Sequence, residues 1–354
     1  MNELTAIIET TANGIFDDNI SQEMMTALEE GELNGNLWEK IEEAGLTKLL
    51  LDEDSGGAGG DWLDAEVVLR ASGRHRVPAP VGEAIAAHWV MAKAAMPVPD
   101  KGVLTWAIGK ENNGQLTIHN APWASQADHV LIWADNDKLY LFEKLEGLTH
   151  CKNIAGEPRA SGELAIASST YTAALPDSLK NFDPQALGAL VRAVQMSGAL
   201  DGALHMAVNY ASERIQFGRT ISKFQAIQQQ LALMSGHVAS SVRAAGMGCE
   251  ALARDPASAG FDIAVAKVLN SEAVEVSTSI AHQVHAAIGI TFEYKLNFFT
   301  RRLWSWRDEY GSDTFWAEKL GAAVVEVGGD ALWGKITDHS LQLNPRNLGP
   351  AETQ

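Results

Sequence analysis

The chain has 354 residues, of which 46% are hydrophobic and 20% are charged. That length suits two or three packed units rather than one small domain, and the apolar content is sufficient for a globular core. The formal net charge of −18 and the lack of a basic stripe argue against nucleic-acid binding.

Three further features indicate where the protein works. Cys151 and Cys249 are the only cysteines, which is typical of a reducing compartment rather than of a disulfide scaffold. No apolar run in the sequence reaches the roughly 18–20 residues of a membrane-spanning helix. The N-terminal residues have no basic flank before an apolar segment, unlike a signal peptide. We therefore expect a cytoplasmic protein without a membrane span.

Residues 1–100 carry helical spacing and predict an N-terminal helical domain. Leu37 and Ile41, for example, recur at an interval that places them on one helical face. The glycine-rich stretch 55–60 interrupts that spacing. Asp61 follows directly and has the side chain expected of a helix N-cap.

Residues 101–180 predict a small middle β-domain between two helical flanks. Short apolar runs replace the helical spacing, and turns rich in Asn, Asp and Gly separate them. The predicted strands are Val103–Ile108, Gln115–His119, His129–Ala134, Lys138–Phe142 and Glu163–Ala167.

Residues 181–345 predict a C-terminal four-helix bundle, followed by a polar tail over 346–354. Apolar residues from Ile227 to Leu252 are separated by three or four positions, which places them along one face of a long helix. Similar stripes precede and follow it, and the last begins at Trp316. Amphipathic helices with short connections are typical of an antiparallel bundle. The predicted fold class is mainly α with a small β-domain.

The segment Glu213–Gln228 combines residue types that suit a dinucleotide. Arg214 offers a planar fork of donors to a pyrophosphate, and Phe217 offers a flat apolar face to an adenine. Gly218 lets the backbone turn, and Ser222 can cap the next helix. On spacing alone, an ordinary helix–turn–helix corner with an exposed arginine is the alternative interpretation.

Two histidines in a later segment raise the question of a metal site. His282 and His285 lie three residues apart, as two ligands on one helix can. No acidic third ligand accompanies them as it does in a zinc-binding helix, so we expect no metal.

Both segments resemble parts of the acyl-CoA dehydrogenase family. Residues 213–228 resemble its (E/S)R-x-x-FG-x-x-(I/L)-x-x-(F/H)Q segment, and residues 282–290 resemble in part its Q-x-x-GG-x-G loop. Ala286 and Ala287 replace two glycines of that loop, so we expect positive φ to be disfavoured there. The order of helices, β-domain and bundle is also that family's layout. The resemblance implies contacts to FAD from Arg214, Gln216, Phe217, Gln225, Gln283 and Ala287.

The resemblance also concerns the catalytic base. Many family members carry a glutamate directly before Gly-Thr, and its carboxylate removes the α-proton of the acyl-CoA thioester. Here Tyr310 precedes Gly311, and Glu309 lies one residue earlier, about 100° away around a helix. Glu309 is therefore the remaining candidate base, in an unfavourable direction. Some relatives place the glutamate near the position of Gly188, where this chain has no acid.

The middle domain departs further from the family. It lacks the T-E-P-x-x-G-S-D loop and the W-I-T-N-type strand that surround the flavin ring. In dimers of the family, one subunit holds that ring while its neighbour clasps the ADP end. The resemblance therefore implies a hetero-oligomer in which a longer catalytic subunit shares one FAD with this chain, as in steroid-type heterotetrameric enzymes.

That resemblance implies α,β-dehydrogenation of an acyl-CoA, with an electron-transfer acceptor. Two alternatives stay open. One is a self-sufficient homo-oligomeric flavoenzyme that uses Glu309 as its base. The other is a non-catalytic structural or regulatory protein that has kept the fold.

Overall fold

The computed structural model describes residues 3–30 and 32–343, so the predicted tail over 346–354 lies outside the described residues. Within the described ranges, no helix combines the length and the apolarity that a membrane crossing requires. The helices there are α1 (Glu3–Asn19), α2 (Gln22–Glu30), α3 (Gly35–Glu43), α4 (Trp62–Arg74), α5 (Val81–Lys93), α6 (Pro184–Glu213), α7 (Gln225–Arg254), α8 (Gly260–His285), α9 (Leu296–Asp308), α10 (Asp313–Val327) and α11 (Gly329–Thr337).

The start of α4 confirms the predicted cap. The Asp61 carboxylate accepts a hydrogen bond from the Leu63 N–H at 2.8 Å. Asp64 returns the contact, because its carboxylate accepts from the Asp61 N–H at 3.0 Å. This capping box satisfies backbone donors that the first turn of a helix leaves unpaired.

The middle of the chain forms a mixed sheet. Its strands follow the order β5–β6–β2–β1–β3–β4–β7, and β1 and β3 are parallel while the other pairs are antiparallel. The strands of the described chain are β1 (Leu104–Asn112), β2 (Gln115–Pro122), β3 (His129–Ala134), β4 (Lys138–Glu143), β5 (Thr149–Lys152), β6 (Pro158–Ala165), β7 (Tyr171–Ala174), β8 (Ile215–Gln216) and β9 (Arg219–Thr220).

Three parts of the strand prediction need correction. The fifth predicted strand, Glu163–Ala167, is the end of β6, which begins at Pro158 and stops at Ala165. Strands β5 and β7 were missed. Both are four-residue edge strands, and their side chains are almost all exposed. An edge strand without a buried face shows no alternation of apolar and polar residues, so its sequence carries little strand signal.

The long helix α7 confirms the predicted apolar seam, because Met234, Val238, Ala245, Cys249 and Leu252 are all buried. The prediction that Ser222 caps this helix is wrong. The N-cap residue is Phe224, which makes no side-chain cap bond. The Ser222 hydroxyl instead lies 3.0 Å from the Thr220 hydroxyl.

The fourth helix of the bundle is not the predicted one. The helix around Trp316 exists as α10 and packs against α8, whereas α9 packs against both α6 and α8. The bundle is therefore α6–α9. The apolar stripe of α9 was missed because arginines interrupt it in sequence; its buried members are Leu296, Phe299, Leu303 and Trp306.

A continuous apolar core joins the N-terminal helices, the sheet and part of the bundle, and a second apolar cluster fills the rest of the bundle. Aromatic rings cross its boundaries: Trp89 of α5 lies edge-on to Trp62 of α4, with centroids 5.4 Å apart, and to Phe182 ahead of α6, at 6.1 Å. The predicted order of helices, sheet and helices is confirmed. The domain bounds at 100, 180 and 345 stay predictions.

Candidate functional site

A tight hairpin joins α6 to α7. Strands β8 and β9 pair in a register that leaves only Phe217 and Gly218 in the loop. Their φ angles are 51° and 78°, which defines a type I′ turn, and its first position favours Asn, Asp or Gly. Phenylalanine is strained at that position, and its side chain is 92% exposed. The fold therefore holds an apolar ring in solvent on a strained turn.

The loop after α8 contains a second strained residue. Ala286 has φ 54° and ψ −140° and so adopts the positive φ that we expected to be disfavoured, whereas Ala287 does not. The turn over 286–290 packs back against α8. A Cβ atom added to Gly289 would lie 2.9 Å from Cβ of His285. The backbone thus follows a path that glycine normally takes, without a glycine.

The hairpin and this loop lie at the same end of the bundle. Tyr210, one turn before Arg214, packs its ring against His285 with centroids 4.6 Å apart. His285 in turn lies between Gln283 and Ala287 in sequence. We call residues 214–220 and 283–287 together the hairpin end.

Six residues were predicted to bind FAD, and all belong to the hairpin end or to the first position of α7. A guanidinium, side-chain amides and an aromatic face that point to solvent are the groups that a pyrophosphate and an adenine bind. The residues present therefore fit the ADP half of FAD. All six are exposed: Arg214, Gln216, Phe217, Gln225, Gln283 and Ala287.

The two histidines near this end serve the packing of α8. His285 is buried, and its Nδ1 lies 2.7 Å from the Ala281 carbonyl oxygen. His282 Nε2 lies 3.2 Å from the Thr300 hydroxyl. Burial lowers the pKa of both imidazoles. In the described part of the chain, no group of three or more His, Cys, Asp or Glu side chains could hold a metal ion.

A second region lies where the sheet meets the bundle. Helix α9 ends at Asp308, and the next two residues leave it: Glu309 has φ −69° and ψ 139°, and Tyr310 has φ 56°. The prediction of a 100° offset between Glu309 and Tyr310 is therefore wrong, because neither residue lies within the helix. The turn of the backbone sets their directions instead.

Tyr310 fills the space between β1 and α6. Its ring stacks on Trp106 of β1 with centroids 5.6 Å apart and an interplanar angle of 7°. A Cβ atom added to Gly188 would lie 2.2 Å from Cδ1 of Tyr310. Gly188 and Tyr310 mark the two positions at which the resemblance places a catalytic glutamate, and these positions are thus neighbours. An aromatic ring occupies one, and the other has no side chain.

Glu309 is surrounded by donors. Its Oε1 accepts from Arg159 Nη2, from Arg159 Nε at 3.2 Å and from Asn153 Nδ2 at 3.1 Å. Its Oε2 accepts from Arg192 Nε at 2.7 Å. Burial alone would raise the pKa of this carboxyl, but Arg159 and Arg192 outweigh burial and lower its pKa to about 2. A carboxylate with that pKa is a very weak base near neutral pH.

Further charges hold the two arginines. Arg192 donates to Glu83 of α5 at 2.5 Å, and its side chain is 2% exposed. Arg159 donates to Glu157 at 3.1 Å, and Glu157 also pairs with Arg302 of α9 at 3.2 Å. We call Glu83, Glu157, Arg159, Arg192, Arg302, Glu309 and Tyr310 together the sheet–bundle junction.

Lys267 of α8 contacts the C-terminal end of α9 beside this junction. Its ammonium donates to the carbonyl oxygens of Trp306 at 2.6 Å and Glu309 at 2.8 Å. The lysine therefore satisfies carbonyls that the last turn of a helix leaves unpaired. Complete burial lowers its pKa to about 7.

Sequence analysis identified Glu309 and Tyr310 but missed the residues that hold them. Arg159 and Glu309 are 150 positions apart, and such a pair leaves no local pattern. One signal was present in the sequence. Arg192 interrupts the apolar run 186–200, and a charge on a face expected to be buried requires a partner.

The helices that flank the sheet match two known domain families. Residues 2–97 match the acyl-CoA dehydrogenase N-terminal domain, and residues 186–313 match the acyl-CoA dehydrogenase C-terminal domain. The second match spans most of the bundle, with both the hairpin end and Tyr310. The chain belongs to the acyl-CoA dehydrogenase family, whose members are oxidoreductases and typically FAD flavoproteins.

Similar proteins and structures agree with that family. Acyl-CoA dehydrogenase IpdE2 of Mycolicibacterium smegmatis is 28% identical over 313 residues, which are 85% of this chain and 93% of that protein. Acyl-CoA dehydrogenase FadE28 of Mycobacterium tuberculosis is 24% identical over 337 residues, 87% of this chain and 98% of that protein. A chain of the ChsE4-ChsE5 complex from Mycobacterium tuberculosis has a TM-score of 0.79 at 20% identity, covering 93% of this chain and 99% of its own. A variant of the Tcur3481-Tcur3483 steroid ACAD also has a TM-score of 0.79. It is 21% identical and covers 91% of this chain and 98% of its own. These two structures share the fold of this chain.

Proposed function

We propose that this chain is the FAD-completing subunit of a hetero-oligomeric acyl-CoA dehydrogenase. A longer subunit of the same family supplies the pocket for the flavin ring, the catalytic base and the acyl-CoA site. This chain binds the ADP half of the shared FAD with its hairpin end. The pair passes electrons from an acyl-CoA to an electron-transfer acceptor.

The observation that carries this proposal is Phe217, 92% exposed on a strained type I′ turn. Strained backbone and exposed aromatic rings persist where a binding partner requires them. Ala286 shows the same strain at the same end of the bundle. Tyr310 also has positive φ, but its ring packs on Trp106, so it is the exposed ring of Phe217 that favours binding over a role as a scaffold.

Each residue of the hairpin end has a role in this proposal. Arg214 neutralises the pyrophosphate with its guanidinium, and Phe217 covers the adenine. Gln283 donates its amide to the dinucleotide, and the positive φ of Ala286 lets the backbone approach it closely. FAD, when bound, supplies the hydride acceptor for the partner's substrate.

The sheet–bundle junction supports a catalytic role for the partner rather than for this chain. Tyr310 fills the position before Gly311 and lies against Gly188, so neither position carries an acid. Glu309 is held by two arginines, and its pKa of about 2 opposes proton abstraction. A general base is typically worth about 10²–10⁴ in rate, so the assembly must obtain one elsewhere.

The substrate class rests on the relatives. Two of the similar structures are two-protein assemblies, and one of them is described as a steroid acyl-CoA dehydrogenase. We therefore propose a bulky acyl-CoA, such as one with a steroid side chain, as the substrate of the assembled pair.

The test is the flavin content and mass of the protein, purified alone and after co-expression with a longer family member from the same genome. We expect a colourless chain alone and about one FAD per pair in the complex. One FAD per chain in the absence of a partner would instead establish the homo-oligomeric flavoenzyme. A complex without flavin, or no complex, would favour a structural role.

A matched pair of variants tests the residues. Arg214→Ala should reduce the FAD content of the pair while leaving the melting temperature of the chain unchanged, because Arg214 is exposed. Arg254→Ala is the control. Arg254 is also exposed but is the last residue of α7, and this 30-residue helix extends roughly 45 Å from the end that follows the hairpin. Equal flavin content in the two variants would contradict the assignment of Arg214.

A further inference from the structure

Glu309 occupies a site built by other parts of the chain. Its two carboxylate oxygens accept from Arg159 of β6 and Arg192 of α6. The arginine side chains are 4% and 2% exposed, whereas Glu309 itself is 19% exposed. The site therefore has buried walls and a side that solvent can reach.

Both arginines are positioned without help from Glu309. Arg192 donates Nη2 to Glu83 at 2.5 Å and Nη1 to the Gln195 side-chain oxygen at 2.6 Å. Arg159 donates Nη2 to Glu157 at 3.1 Å and Nη1 to the Pro158 carbonyl at 2.8 Å. Loss of the Glu309 side chain would leave both guanidinium groups in place, each with its Nε facing the gap.

The charged groups around the space that the Glu309 carboxylate fills favour an anion there. Three guanidinium groups, of Arg159, Arg192 and Arg302, face three carboxylates, of Glu83, Glu157 and Glu309. The amine of Lys267 also lies 2.8 Å from the Glu309 carbonyl oxygen and is buried. Removal of Glu309 therefore leaves a surplus of buried positive charge. A buried charge without a partner is costly, so this surplus would favour binding of a replacement anion.

We propose that Arg159 and Arg192 form a carboxylate-binding site that the chain fills with its own Glu309. The ligand class of this site is a small monocarboxylate, because two Nε donors from different elements match the two oxygens of one carboxylate. As an internal ligand, Glu309 joins β6, α6 and the end of α9. This inference does not depend on flavin binding.

Chemical rescue of Glu309→Ala tests the proposal, with sodium formate as the probe. In sodium chloride, the variant should melt roughly 5–15 °C below the wild type, because one partner of a buried pair is gone. Formate at about 0.1 M should raise its melting temperature by a few degrees above chloride of equal ionic strength, and the rise should saturate. The wild type should show no such difference, because Glu309 already fills its site.

Asp308→Ala is the matched control, since it removes an exposed acid one position earlier. A formate effect of equal size in both variants, or none in Glu309→Ala, would overturn the proposal. If Glu309→Ala does not fold in chloride, its refolding yields in formate and in chloride test the proposal instead. A yield restored by formate supports the site, and equal yields in formate and chloride overturn it.

Discussion

The hairpin end and the sheet–bundle junction differ in the exposure of their polar and aromatic groups. At the hairpin end, Phe217 is 92% exposed. Positive φ does not separate the two regions, because Phe217 and Ala286 have it at the hairpin end and Tyr310 has it at the junction. At the junction, Arg192 is 2% exposed and its donors bond to Glu83, Gln195 and Glu309. The carboxylates of the junction are paired within one chain, although the buried Tyr310 hydroxyl has no hydrogen-bond partner among the described residues, whereas the candidate residues of the hairpin end are exposed to solvent.

This difference supports a structural role for the junction and the proposed binding role for the hairpin end. A buried ion network with every charge matched favours one arrangement of the units around it, and it needs no ligand. Strained backbone occurs in both regions, but the Tyr310 ring packs on Trp106 whereas the Phe217 ring is exposed, and that exposure favours the proposed binding role. Charge and aromaticity alone would not have told the two regions apart.

The largest expected effect comes from breaking the junction. Arg192→Ala should lower the free energy of unfolding by about 3–5 kcal/mol, because Glu83 and Glu309 stay buried without this partner. Urea unfolding followed by circular dichroism measures this. Arg243→Ala is the control, since Arg243 pairs with Glu250 at 2.8 Å on the exposed surface, and it should change stability by less than about 0.5 kcal/mol. Similar losses in both variants would remove the contrast between buried and exposed pairs.

An intermediate effect tests the crowding at the junction. Gly188→Ala should cost about 1–3 kcal/mol, because the new Cβ atom would lie 2.2 Å from the Tyr310 ring. Gly236→Ala serves as the control. Gly236 is also helical, has no atom within 4 Å of an added Cβ, and should gain up to about 1 kcal/mol from helix propensity. A neutral Gly188→Ala in thermal unfolding would show that Tyr310 can move aside.

The smallest effect concerns the hairpin end, where stability and binding should change in opposite directions. Phe217→Asn should stabilise the chain alone by about 0.5–1 kcal/mol, because Asn-Gly suits a type I′ turn. The same variant should lower the flavin content of the assembled pair, since the aromatic face is lost. Thermal unfolding and flavin absorbance measure the two effects. A variant that is both less stable and fully loaded with flavin would contradict the assignment.

The sequence was informative wherever a feature is local. The seam of α7 and the cap at Asp61 depend on spacings of a few residues, and both are confirmed. Strands β5 and β7 lie at the sheet edges with exposed side chains, so periodicity could not reveal them. The apolar stripe of helix α9 could not be recognised because the helix also buries a charged residue, Arg302, which pairs with distant Glu157.

The junction could not have been predicted from the sequence for a similar reason. Glu83 and Arg192 are 109 positions apart, and Arg159 and Glu309 are 150 apart. Their contacts depend on how α5, β6, α6 and α9 pack, which no single segment specifies. The residues of the hairpin end could be proposed from the sequence because they lie in two short segments. The strain at Phe217 and Ala286 appears only in the backbone angles.

The two-residue loop at Phe217 also bears on the kinetics of assembly. A loop this short has few conformations to lose, so the ring is already in position before any ligand arrives. If the proposed partner and FAD bind here, their encounter would require orientation of two surfaces but no ordering of this loop. Variants of Phe217 should therefore alter how long the assembled pair lasts far more than how fast it forms.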